Sequence, residues 1–197
     1  GLTANTYDAA GNLLTRTDAK GQTTRYTYDA GNRITGISYS DGTQVSFTYD
    51  QGANGIGRLS RITDATGTTA YTYDPHGRVL TETRTVKGVA YTTGYRYDGA
   101  GRLTGLTYPD GRQIDYTLDG AGRISRISAT PQGGNAQTVV DNVAYRPFGP
   151  VQGYTYGNGQ TASRQYDQDG RISAYSLGTL SQVISYDAAG RITALTD

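Results

Sequence analysis

The sequence contains no cysteine, no tryptophan, no methionine and a single histidine. Without cysteine there is no disulfide and no thiolate metal site, and the chain carries no mark of its redox compartment. One histidine, His76, is too few for a histidine-based metal cluster. It sits in a motif turn, and no Ser-His-Asp triad is expected around it. No apolar run approaches the roughly 20 residues of a membrane-spanning helix, so no such span is expected. Charge of one sign is also missing, with 18 basic residues against 17 acidic ones. Nucleic-acid binding needs an unneutralised basic face, so it is not expected here.

What the chain has is tyrosine, threonine and glycine: 18 Tyr and 28 Gly, with only 2 Phe. Tyr and Thr favour pleated, half-exposed surfaces, and Gly punctuates them as a turn former. Disordered segments are poor in aromatic and β-branched residues, so the low apolar share does not indicate disorder. These counts predict an all-β fold.

A phrase recurs through all of it: Tyr-Asp-x-x-Gly-Arg followed by Leu, Ile or Val. Clean copies start at Tyr73, Tyr97, Tyr166 and Tyr186, and variants at Tyr7, Tyr28, Tyr49, Leu118 and Tyr145. Self-similarity at a period of 20 to 50 residues marks a repeat architecture in which each unit packs on its neighbours. Residues 1–197 therefore read as one array of about nine repeats, least regular at 129–165, where Pro131, Gly133-Gly134, Pro147 and Pro150 fall. No separate core-closing or toxin domain is expected within it. The chain lacks an initiator Met, Gly1 leads almost directly into the first copy without a signal peptide, and both ends are abrupt. The expectation is a piece of a longer protein.

One repeat can be written out from residues 28 to 49. Tyr28-Asp29 enters a turn, Arg33 to Tyr39 forms a strand, Ser40-Asp41-Gly42 turns again, and Thr43 to Tyr49 returns. Val45, Phe47 and Tyr49 alternate, which marks a strand with one buried face. Each repeat is thus a β-hairpin joined to the next hairpin. About 18 strands at roughly 4.8 Å would exceed the size of a flat open sheet, so one continuous, curved antiparallel sheet is expected, a spiral or an open shell segment.

The motif glycine needs a positive φ, which Asn tolerates best after Gly, and Asn32 occupies that position in the second copy. The motif Asp suits an Asx turn, accepting backbone N–H groups. The motif Arg can pair with that Asp or with its equivalent in a neighbouring unit, mainly fixing register. The structural motif residues are Tyr28, Asp29, Asn32 and Arg33; Tyr73, Asp74, Gly77 and Arg78; Tyr97, Asp98, Gly101 and Arg102; Tyr166, Asp167, Gly170 and Arg171; Tyr186, Asp187, Gly190 and Arg191. After six of the motif Arg residues, apolar residues stand three apart, as in Ile34/Ile37 and Leu59/Ile62. Either a bulge at the strand entrance or a first apolar residue still in the turn accounts for this spacing.

These residues resemble the YD repeats of the Rhs family, over essentially the whole chain. The irregular Tyr145-Arg146-Pro147-Phe148-Gly149-Pro150-Val151 resembles a variant found among bacterial members. In bacterial Rhs proteins, insecticidal toxin complexes and animal teneurins such repeats spiral into a hollow β-shell. The resemblance implies a structural wall segment enclosing a C-terminal toxin or effector domain of the parent chain. It also implies contact with a secretion apparatus or cell surface through the parent, and a secreted location or delivery by a bacterial secretion system. The family's autoproteolytic core carries Asp-Pro-x-Gly elements. Asp74-Pro75-His76-Gly77 matches once, but Arg78 follows it and it occupies an ordinary motif turn.

Periodic carboxylates argue against an enzyme, because an active site is one convergent constellation. No cofactor is expected. Calcium-binding β-rolls use Gly-Gly-x-Gly-x-Asp at a shorter period, and Asp167-Gln168-Asp169-Gly170 is only a partial echo of an EF-hand loop. The alternative function is a carbohydrate- or cell-surface-binding adhesive module built on rows of Tyr. The paired tyrosines on single strand faces instead suit hairpin-to-hairpin packing. Exposed terminal strands allow edge-strand self-association.

Overall fold

The computed structural model describes residues 1–147 and 149–197. Phe148, in the irregular seventh copy, lies outside the described residues. Two compact units divide the chain, Gly1–Tyr95 and Arg96–Asp197. In both, strands alternate with tight turns, and there is no helix among the described residues.

The first unit runs through β1 (Ala4–Tyr7), β2 (Leu13–Thr17), β3 (Thr23–Tyr28), β4 (Ile34–Ser38), β5 (Gln44–Tyr49), β6 (Leu59–Asp64), β7 (Gly67–Tyr73), β8 (Val79–Val86) and into β9 (Val89–Tyr97). Each of these strands pairs antiparallel with the next. The second unit continues with β10 (Leu103–Thr107), β11 (Gln113–Leu118), β12 (Ile124–Thr130), β13 (Gln137–Tyr145), β14 (Val151–Tyr156), β15 (Thr161–Tyr166), β16 (Ile172–Leu177), β17 (Leu180–Tyr186) and β18 (Ile192–Thr196). The same antiparallel order holds there. The motif sets the boundaries: every odd strand ends on its Tyr, or on Leu118, and every even strand opens on the apolar residue after the Arg position.

The apolar spacing of three has a definite cause. Tyr28 faces Ile34 while Thr27 faces Gly36, so Thr35 is an extra residue bulged out of β4. Tyr73 faces Val79 and Thr72 faces Thr81, which leaves Leu80 as the extra residue in β8. The same shift separates Ser185 from Tyr186. A bulge reverses the side-chain alternation once, so Ile34 and Ile37 share the face of Tyr28 and Tyr26. The alternative, a first apolar residue left in the turn, does not hold.

The apolar face is shallower than strand alternation suggests. Val45, Phe47 and Tyr49 are half-buried, between exposed Gln44, Ser46 and Thr48. Among the described residues no hydrophobic one is fully buried, and Ser60 and Asp74 are the buried polar ones. The physical reason is that each unit is one layer thick. A single sheet covers its apolar side chains only with their cross-strand neighbours. The opposite face carries hydroxyl pairs across the strands, such as Thr72–Thr81 at 2.6 Å and Thr83–Thr92 at 2.9 Å. β13 is the most distorted strand, with register shifts against both neighbours and Asn142 at φ 54°.

Candidate functional site: the joint between repeats

The motif turn is closed by backbone bonds first. In the second copy Asn32 N–H donates to the Asp29 carbonyl at 3.0 Å, and Asp29 N–H donates to the Arg33 carbonyl at 3.0 Å. This geometry puts the residue before Arg at positive φ: Asn32 at 58°, Gly77 at 80°, Gly101 at 85°, Gly170 at 80° and Gly190 at 78°. Asn takes that conformation with little strain because its short amide bonds locally.

The Asp carboxylate divides its work between two oxygens. Oδ1 of Asp29 accepts the N–H groups of Gly31 and Arg33, both at 2.9 Å, and Oδ2 accepts Arg33 Nε at 2.8 Å. The pattern repeats at Asp98, where Ala100 and Arg102 N–H donate to Oδ1 and Arg102 Nε to Oδ2. It repeats again at Asp167 with Asp169 and Arg171, and at Asp187 with Ala189 and Arg191. The backbone N–H of Arg33 and then its side chain hold the Asp29 carboxyl below the usual range. Asp98 and Asp187 are lowered for the same reason. At Asp74 burial works against ionisation, and the bonds from Arg78 and His76 outweigh it.

The guanidinium projects onto the next repeat, held at Nε by its own turn's Asp in Arg33, Arg123 and Arg171 and by the Gly77 carbonyl at 3.3 Å in Arg58. Arg33 lies 4.4 Å from the Tyr49 ring centroid, Arg58 5.7 Å from Tyr73, Arg123 4.3 Å from Tyr145 and Arg171 4.6 Å from Tyr186. A cation over the ring face is attracted by its quadrupole. The ring beneath it is fixed at its far end. Tyr49 O–H donates to the Ile34 carbonyl at 2.8 Å, Tyr73 to Leu59 at 2.6 Å, Tyr166 to Val151 at 2.6 Å and Tyr186 to Ile172 at 2.8 Å. The acceptor is always the residue that opens the even strand of the preceding repeat. Asp, Arg, that carbonyl and the following Tyr therefore form one joint.

The motif glycine has a second reason to be small. A Cβ at Gly77 would overlap the Arg58 guanidinium of the preceding repeat, and one at Gly122 would overlap that of Arg102. At Gly170 an added Cβ would meet nothing. Arg33 also reaches Asp50 of the next copy through both terminal nitrogens, at 3.0 and 2.6 Å. Both pairings that the Arg could make, within its own turn and with the neighbour, thus occur at one residue. In the first copy Asn12 takes the Arg position, donating to Asp8 Oδ2 at 2.9 Å and to Asn32 Oδ1 at 2.8 Å.

The structure places each predicted motif residue in such a turn, but the Arg-to-Tyr reach was missed from sequence. The signal available was the recurrence of a Tyr at the end of the second strand after the motif Arg. Outside the joints, Arg84 pairs with Asp64 at 3.0 Å and bonds Thr66, and Arg96 pairs with Asp115 at 2.5 Å. His76 is exposed, with Nδ1 4.0 Å from Asp74 Oδ2. Among the described residues no three metal-ligating side chains cluster, and no helix is long and apolar enough to cross a membrane.

Three comparisons bear on this geometry. No curated protein matches the chain in sequence. The fold matches a crystal structure of TcdB2-TccC3-Cdc42 with TM-score 0.90 at 17% identity, over 98% of this chain and 11% of that one. It also matches a Photorhabdus luminescens Tc holotoxin pore with TM-score 0.88 at 17% identity, again over 98% of this chain and 11% of the other. The chain thus spans about a tenth of the length of the structures it resembles. The family model described as RHS Repeat matches residues 7–44, 54–90, 91–113 and 97–134. With more than half its length so matched, and with a joint built from the motif itself, the chain belongs to the RHS repeat family.

Proposed function

We propose that this chain is a wall segment of a hollow β-shell that encloses a C-terminal toxin or effector domain of a longer protein and serves its delivery. The carrying observation is the joint: hairpin is clipped to hairpin by motif Asp, Arg and Tyr side chains, as at Asp29–Arg33–Tyr49 and Asp167–Arg171–Tyr186. A single-layer sheet with no fully buried apolar side chain among the described residues suits a lamina between two compartments. Likeness to the fold of the TcdB2-TccC3 assembly supports the same reading. On this reading the chain is structural and not an enzyme. The motif residues act as clips, and the array over 1–197 works as one wall in a secreted or secretion-delivered parent. Its partners are the parent's own effector and, through the parent, a secretion apparatus or cell surface.

The motif tyrosines make poor sugar platforms, because their hydroxyls donate to carbonyls and their faces carry guanidinium groups. That disfavours the adhesive reading. The test is protease challenge of the parent protein. The effector segment should resist cleavage in the intact protein and become cleavable when several motif arginines are replaced. Equal cleavage of the two would overturn the proposal.

A further inference from the structure

We propose that a hollow on the apolar face, between β2 and the β4–β5 turn, binds an arginine, free or at the carboxyl end of a peptide, by its guanidinium and its carboxylate together. Arg16 is where the repeat pattern breaks. Thr15 faces Arg25 and Gly36 faces Ser46, so Arg16 holds the place that Ile37 holds one repeat on. Ile62 and Leu106 fill the same place further along. A guanidinium in an aliphatic row breaks a local rule, and such breaks concentrate at functional sites. Arg16 has no carboxylate partner among the described residues. It lines a hollow of about 690 Å³, with Asp18, Tyr26, Tyr39, Asp41 and Thr43 among the other walls. β1 and β6 flank these strands on either side, so the chain itself bounds the hollow.

Both carboxylates there are half used. Asp18 Oδ1 accepts the N–H groups of Lys20 and Gln22, and Asp41 Oδ1 accepts the N–H and hydroxyl of Thr43. Neither Oδ2 has a partner among the described residues, nor does the Tyr39 hydroxyl. A turn of the same build in the second unit has that place filled. In Tyr108-Pro109-Asp110-Gly111-Arg112 the guanidinium donates to Asp110 Oδ2 at 3.0 Å and lies 5.4 Å from the Tyr108 ring centroid. The two turns close alike: Tyr39 N–H donates to the Thr43 carbonyl at 2.9 Å, and Tyr108 N–H to that of Arg112 at 2.8 Å. Thr43 stands where Arg112 does, so ring and carboxylate are left open to a guanidinium from outside. One cation against two carboxylates repels a bare anion, yet the Arg16 fork suits a carboxylate bidentately. An arginine meets all of these, with its guanidinium on Asp41 and Tyr39, its carboxylate on Arg16 and its α-nitrogen toward Asp18.

Isothermal titration calorimetry of the chain with L-arginine is the test. Agmatine lacks the carboxylate and citrulline lacks the cation, and each should bind about tenfold more weakly, the worth of one charge-assisted pair. Arg16→Ala should weaken L-arginine about tenfold and leave agmatine unchanged, whereas an Arg16 that only supports the fold would shift both ligands or neither. Asp41→Asn should weaken L-arginine and agmatine alike. Thr43→Arg should supply in cis what Arg112 supplies and abolish binding. Far-UV circular dichroism of each variant shows whether folding is intact. N-acetyl-L-arginine separates the two sources: binding equal to that of L-arginine identifies a peptide's carboxyl-terminal residue, weaker binding identifies the free amino acid, and the proposal holds with either. L-arginine that does not bind, binds no tighter than citrulline, or binds undiminished to folded Arg16→Ala would overturn it. The protease test of the shell wall stands or falls separately, because it concerns the effector of the parent protein.

Discussion

Leu118 is the one motif position where an aliphatic residue replaces the Tyr, which makes it the sharpest place to test the joint. Arg102 is already set for a ring, with Nε on Asp98 at 2.7 Å and its guanidinium over Gly122. The Leu103 carbonyl occupies the acceptor position that Ile34, Leu59 and Ile172 fill elsewhere. Leu118→Tyr should add a phenol hydrogen bond of about 1 kcal/mol. A guanidinium–ring contact should add about 0.5 kcal/mol, the lower figure applying because Arg102 is well exposed. The expected gain is about 1.5 kcal/mol, which moves a urea midpoint by roughly 0.5–1 M. The assay is urea unfolding of wild type, Leu118→Tyr, Arg102→Ala and the double variant. The cycle should return a favourable Tyr–Arg coupling. A Leu118→Tyr chain no more stable than wild type, or a coupling of zero, would refute the joint as the stabilising element.

Three further outcomes follow from the same geometry. Gly170→Val should cost about 1–3 kcal/mol in backbone strain alone, and Gly77→Val more, since it also displaces Arg58; equal losses in thermal unfolding would remove the steric half of the glycine argument. His76→Ala should leave the melting temperature within about 1 °C, the usual result for an exposed side chain away from any core. Because folding holds Asp29, Asp98 and Asp187 below their unfolded value near 3.9, the unfolded chain takes up protons first as pH drops. The carboxylates' contribution is therefore intact above about pH 4 and is lost below it as pH passes through their folded values; a denaturant midpoint that stays flat down to pH 2 would contradict this.

The turns and strand ends were legible because their causes are local. Asn32 in the glycine position reads directly as positive φ, and the spacing from Asp29 to Arg33 reads as an Asx turn. The bulge was half-legible: spacing of three at Ile34/Ile37 requires a fault in alternation, but only the opposing strand shows which residue is extra. The reach of Arg33 to Tyr49 was not legible at all. It depends on how one hairpin is offset against the next, and no local propensity encodes that offset. The depth of the Tyr face was misjudged for a similar reason. Alternation at Val45, Phe47 and Tyr49 says which side is apolar, whereas coverage depends on whether a second layer lies over it.

The clips all lie along one rim of the hairpins, at the Tyr-Asp-x-x-Gly-Arg turns, and this makes the two rims unequal. The opposite rim carries turns that no Arg–Tyr joint uses, with Arg84 bound to Asp64 and Thr66 as a local exception, and there β8 and β9 run on to a two-residue Lys87-Gly88 turn while β4 and β5 stop short. Hairpins can therefore lengthen, shorten or acquire decoration on that free margin while the fastened margin keeps its spacing. Variation in repeat length is thus absorbed where it cannot loosen the fabric.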